Sequence, residues 1–141
     1  MIVIGLIVVL LAGLILFAFV VLSTKASSFT PTDYNPALVT NKWSEITTNL
    51  HNQNSNNLKN CLIEADKLLD YVMKGKGYRG ETMADRLKIA QSQMRDRESV
   101  WQAHKLRNAI VHELHYDIVP AQIQQAVRAL GQGIKDLGGQ L

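Results

Sequence analysis

Apolar and polar positions divide the chain into two regions. Residues 1–22 carry no charged and no polar side chain. A helix rises about 1.5 Å per residue, so about 20 apolar residues cross a hydrocarbon core about 30 Å thick, and this run meets that length. A secretory signal peptide would place a basic segment before a shorter apolar stretch and a small-residue cleavage site after it. No Lys or Arg precedes this run, and Thr24-Lys25-Ala26 ahead of Ser27 makes a poor cleavage site. The pattern predicts a single transmembrane helix over residues 1–23 that anchors the chain in a lipid bilayer.

Residues 23–36 are rich in Ser, Thr and Pro and lack periodicity, which predicts a linker over 24–35 and a folded domain over 36–141. From Pro36 onward apolar residues recur at helical spacing, with no alternation of the kind a strand requires and no internal repeat. Pro36 is suited to a first helical turn and opens a helix expected to reach about Leu50. The polar run 51–57 is either a break or a solvated stretch of a longer helix. Leu58, Leu62, Ala65, Leu69, Val72 and Met73 form the stripe of a second helix, which Gly75, Gly77 and Gly80 end near Tyr78. Thr82 with Asp85 resembles a capping box and opens a third helix through Leu87 and Ala90. A fourth is expected over about 99–115. Pro120 opens a fifth, with Ile123, Val127, Leu130, Ile134 and Leu137 as its core stripe before Gly138-Gly139. The fold class is all-α: a transmembrane helix followed by an antiparallel bundle of four to five helices.

Composition adds limits rather than a function. The 141 residues include 15 basic and 12 acidic side chains, a net charge of +3, and every charge lies after Leu22. That balance permits contact with nucleic acid or anionic lipid without requiring either. The region after residue 22 is large enough for one hydrophobic core. Cys61 is the sole cysteine, which excludes an intramolecular disulfide, and its apolar helical surroundings predict a buried thiol.

The fourth helix concentrates the candidate chemistry. At about 100° per residue, His104, Asn108, His112 and His115 fall within an arc of about 80°. Leu106, Ile110 and Leu114 lie opposite and are expected to face the core. Arg107 sits near the border, so its guanidinium must reach a carboxylate or emerge at an interface. Glu64 and Asp66 on the second helix are the acidic residues that would make a buried ion pair with Lys105 or Arg107. His112-Glu113-Leu114-His115 imitates a zinc-protease motif, but its histidines are three apart rather than four and no third ligand is evident, so no metal is expected. Gly75, Gly77 and Gly80 spell a dinucleotide fingerprint but follow a helix rather than a strand. They read as a glycine-rich connection, and no cofactor is expected. Lys74, Lys76 and Arg79 beside it slightly favour a phosphate-bearing ligand, although such a group is more often a solvated face. No aromatics interleave with basic residues to stack single-stranded bases.

Arg107-Asn108-Ala109-Ile110-Val111-His112 matches the Arg-x(4–6)-His signature of HEPN domains, including the polar residue that often follows the arginine. With the helix bearing Glu64, Ala65, Asp66 and Lys67, with Gly77-Tyr78-Arg79-Gly80 and with the segment 101–108, this string resembles bacterial HEPN-like proteins that often carry an N-terminal hydrophobic helix. The resemblance covers about residues 56–137. It implies an all-α HEPN-like bundle in which two copies of the motif meet across a homodimer, on the helix face bearing Arg107 and His112. Many HEPN domains are metal-independent ribonucleases of toxin–antitoxin and antiviral systems; others keep the fold and bind or regulate. In the catalytic case Arg107 would grip a phosphate, His112 would serve as general acid or base, and Asn108 would orient one or the other. The resemblance implies a membrane-anchored module that dimerises and binds a partner, a nucleotide or RNA. A metal-independent endoribonuclease using Arg107, Asn108 and His112 is the first alternative, and an anchored helical scaffold unrelated to HEPN is the second. A domain acting on RNA faces the cytosol, which places Lys25 on the inner side of a bacterial cytoplasmic membrane, in the sense of the positive-inside rule.

Overall fold

The computed structural model describes residues 34–51, 54–113, 117 and 119–141. The transmembrane helix expected over residues 1–23 lies outside the described residues, as does the linker up to residue 33. Among the described residues no helix is long and apolar enough to cross a membrane. All regular structure among them is helical: α1 (Pro36–Leu50), α2 (Ser55–Gly75), α3 (Met83–Ala90), a 3-10 turn (Gln91–Gln93), α4 (Arg97–His112) and α5 (Pro120–Asp136).

Local chemistry sets these boundaries. Pro36 occupies the first turn of α1, and the Asn35 side chain accepts from the Leu38 backbone N–H. In the polar run after α1, the Asn54 side chain accepts from Asn56 N–H and caps α2, so the run is a break rather than a helical continuation. Thr82 and Asp85 form the reciprocal capping box that opens α3, satisfying two backbone donors that would otherwise lack partners. Asp96 accepts from Ser99 N–H and starts α4 at Arg97, two residues ahead of the expected start. Glu113 leaves α4 in extended backbone, so the helix closes at His112; residues 114–116 lie outside the described residues. Gly77 (φ +84°) and Gly138 (φ +77°) turn the chain out of α2 and α5 in the left-handed region. Gly77 N–H donates to Lys74 O and Tyr78 N–H to Met73 O, both at 3.0 Å, which satisfies the last carbonyls of α2.

α2 is the centre of the bundle. Its stripe of Leu58, Leu62, Ala65, Leu69, Val72 and Met73 is fully buried, as are Val127, Leu130 and Ile134 of α5. α2 and α5 pack directly on each other, with α1 and α4 each contacting α2. Asn35 N–H donates to Tyr71 Oη at one end of α1, and Cys61 Sγ donates to Ile46 O at the other, so α1 and α2 run antiparallel. α4 and α5 also run antiparallel, because Gly133 faces Val100 while Arg95, just before α4, holds Asp136 at the end of α5. Each fully buried Leu or Ile contributes roughly 1.5–3 kcal/mol of transfer free energy.

α1 and α5 approach closely where α5 has no side chain. A Cβ built on Gly131 would fall 2.4 Å from the Trp43 ring, well inside van der Waals contact. Gly131→Ala gains up to about 1 kcal/mol of helix propensity but forces the indole aside, an overpacking that costs about 1–3 kcal/mol. The expected result is a net loss of about 1 kcal/mol in unfolding free energy, with a red shift of Trp43 fluorescence; unchanged emission would show that the ring is not displaced.

Candidate functional site

The buried face of α4 consists of Val100, Ala103, His104 and Ile110. At about 100° per residue these four directions centre close to that of Arg107. His112 lies about 140° from that centre and is exposed. The arc expected to form one polar face is therefore divided: His104 points into the bundle and His112 out of it. Ile110 is buried as expected and Leu106 only half-buried, while Leu114 and His115 lie outside the described residues. The cause of the division is on α2. Asp66 sits within the apolar stripe between Leu62 and Leu69 and is 2% exposed, and a carboxylate buried there requires donors from the facing helix.

α4 supplies them. His104 Nδ1 lies 2.9 Å from Asp66 Oδ1. Arg107 Nε lies 3.5 Å from Asp66 Oδ2, long for a hydrogen bond but close enough for an ion pair; the same Nε is buried without a hydrogen-bond acceptor. Arg107 Nη1 donates to Asn108 Oδ1 at 3.0 Å, and Asn108 Nδ2 lies 3.2 Å from His104 Nε2. The four side chains thus close a ring: Asp66, His104, Asn108, Arg107 and back to Asp66. The edge of the Trp101 ring meets His104 at a centroid separation of 6.1 Å. Of the two acidic residues considered on α2, Asp66 is the buried partner of Arg107, and Glu64 pairs with Lys67 at the surface at 2.9 Å. Lys105 is exposed.

Of the three site residues expected from the sequence, the structure joins Arg107 and Asn108 and leaves His112 apart. The last turn of α4 directs His112 outward, and no hydrogen bond or ion pair ties it to another described residue. His104 and Asp66 complete the cluster. Their signal in the sequence is a lone carboxylate inside an apolar helical stripe, together with a histidine, an arginine and an asparagine at i, i+3 and i+4 on the helix that faces it.

One turn beyond Asp66, Asp70 accepts from Arg86 Nε at 2.7 Å and Nη2 at 3.0 Å, and Lys74 approaches it at 2.8 Å. Burial pushes the Asp70 carboxyl up, but the hydrogen bonds and charges of Arg86 and Lys74 outweigh it and hold the group below its ordinary value. The basic face is thereby partly committed: Lys74 to Asp70, Lys76 to the Tyr34 ring at 4.8 Å, with Arg79 exposed. Burial raises the Cys61 thiol, which suits a core residue. Among the described residues no group of three or more His, Cys, Asp and Glu side chains converges on a metal position. A crevice between α4 and α5, lined by Leu106, Ala109 and Ala126 with Lys105 and Gln122, takes in none of the ring residues.

No protein-family model matches the chain, and no curated protein or solved structure is significantly similar to it. The function has to be read from the ring and its surroundings.

Proposed function

We propose that the chain is a membrane-anchored, HEPN-like helical module that acts by binding. It pairs with a second copy through the exposed last turn of α4, where His112 stands, and it takes a phosphate-bearing ligand, a nucleotide or RNA, at the same helix. One observation supports this over catalysis: Arg107 is held in an internal ring by Asp66 and Asn108, whereas His112 stands on another side of the helix. A metal-free ribonuclease needs a cation and a proton-transfer group converging on one phosphate, and a single subunit does not bring this pair together. Val111, exposed beside His112, is an apolar residue that an interface with a second copy would cover. The apolar run of residues 1–22 supports the anchor, and the RNA reading together with Lys25 just after the run supports helices on the cytosolic side of a bacterial membrane.

Incubation of the full chain in detergent micelles with labelled RNA and a chelator, read for both retention and cleavage, tests the proposal. Retained but intact RNA is the expected result. Chelator-resistant cleavage that Arg107→Ala and His112→Ala each abolish, with helical content unchanged, would replace this reading with the endoribonuclease one.

A further inference from the structure

The ring of Asp66, His104, Asn108 and Arg107 has only one consistent assignment of protons. A guanidinium offers donors alone and an ionised carboxylate acceptors alone, while a carboxamide and a neutral imidazole each offer both. Arg107 Nη1 therefore faces the Asn108 oxygen, so the Asn108 amino group faces His104 Nε2. Nε2 must then accept, and the imidazole proton must sit on Nδ1, donated to Asp66. The ring as built requires His104 neutral and in that tautomer.

A second proton on His104 has no place in this arrangement. At Nε2 it would meet the Asn108 amino group, donor against donor. Rotating the amide repairs that contact and turns the amino group onto Arg107 Nη1, which is again a donor. Charge points the same way, since the imidazolium and the guanidinium would repel each other beside the one carboxylate. His104 holds the shorter contact, 2.9 Å against 3.5 Å, and its side chain is 9% exposed against 23% for Arg107. Arg107 is the member with a route to water. On α2, Asp66 faces His104, while Asp70 is held by Arg86 and Lys74 and Glu64 by Lys67; on α4 itself the charged partner is Arg107. From α5, Arg128 and Lys135 are exposed and Asp136 is held by Arg95. The 3-10 turn contributes Gln91, which accepts from Trp101 Nε1 and does not titrate.

We propose that His104 is a proton-operated latch on Arg107. Neutral His104 orients Asn108 and keeps the guanidinium against Asp66; protonated His104 takes Asp66 for itself and releases Arg107 to solvent, available to an anion. His104 is thus a positioning residue that acts through Asn108. The anion-taking step rests on the binding function proposed above, while the latch rests on the ring alone.

Side-chain nitrogen NMR on the full chain in detergent micelles, followed from neutral to acid pH, tests it. The expected spectrum at neutral pH shows His104 protonated on Nδ1 only, and on acidification the Arg107 Nε–H signal moves in step with the imidazole. His104→Gln retains one donor and one acceptor without titrating, so its Arg107 signal is expected to stay still. A proton on Nε2 at neutral pH, an Arg107 signal unmoved while His104 titrates, or the same movement in His104→Gln would each overturn the latch. The wild-type measurements decide the matter even if the variant fails to fold. Inorganic sulfate, a dianion throughout this range, separates the latch from the binding reading. Sulfate is expected to shift Arg107 only at acid pH. A latch that titrates without any sulfate response stands while the ligand reading falls, and a sulfate response without joint titration does the reverse.

Discussion

Asp66→Ala is expected to destabilise the helical domain by about 3–5 kcal/mol, the range for removing one partner of a buried ion pair. The substitution takes away little volume but leaves the Arg107 guanidinium beside α2 without its counter-charge and His104 Nδ1 without an acceptor. Domains of this size are stable by only about 5–15 kcal/mol, so the variant should melt far below the wild type and sit partly unfolded at growth temperature. Asp66→Asn is expected to fall between the two, because it keeps an acceptor for His104 and removes the charge that Arg107 faces. Asp66→Leu combined with Arg107→Met should be less damaging than Asp66→Ala alone, since it removes both charges and fills the space with apolar atoms. Thermal melts of the full chain in mild detergent, followed by helical circular dichroism, give all four values. A loss under about 0.5 kcal/mol in Asp66→Ala, the range of ordinary surface changes, would mean that the ring is ornamental to stability.

The architecture behind that prediction was largely legible in the chain, and the part that was not has a physical cause. The stripes of α2 and α5 are strict at three- and four-residue spacing, and every residue assigned to them is buried. Pro36, Pro120 and the Thr82–Asp85 box mark helix starts by local chemistry that needs no tertiary context. The start of α4 was less visible because Asp96 caps a first turn of Arg97, Glu98 and Ser99, with no apolar residue until Val100. In α4 the wheel gives angles between side chains but not which side its neighbours cover. Apolar residues alone put the core behind Leu106 and Ile110. The carboxylate of Asp66, itself set into the stripe of α2, rotates the buried face toward His104 and Arg107. That Arg107 needed a carboxylate was readable from its position; that His104 rather than His112 would join it depends on the pairing of two helices almost forty residues apart in sequence.

A second buried arginine is expected to matter nearly as much. Arg86 is 6% exposed and has three hydrogen bonds: two to the Asp70 carboxylate and one from Nη1 to Gly80 O at 2.6 Å. It ties α3 to α2 and fastens the loop that follows Gly77. Arg86→Ala should lower the unfolding free energy by about 3 kcal/mol, at the lower end for a buried pair because Asp70 keeps Lys74. Arg86→Lys retains the charge but not the fork of donors, so it should recover only part of the loss. The effect carries a pH signature. Asp70 is held below its ordinary value in the fold, so its contribution is fully present above the unfolded carboxyl's pKa and is lost as pH falls through the depressed folded one. Without Arg86 that depression shrinks, and with it the stability Asp70 contributes at neutral pH. The difference between wild type and Arg86→Ala should therefore be widest near neutral pH and narrow on acidification toward about pH 3, below the ordinary aspartate value of about 3.9. Unfolding free energies measured across that range decide the point. A difference that stays constant at every pH would assign the role of Arg86 to its packing and its bond to Gly80, not to Asp70.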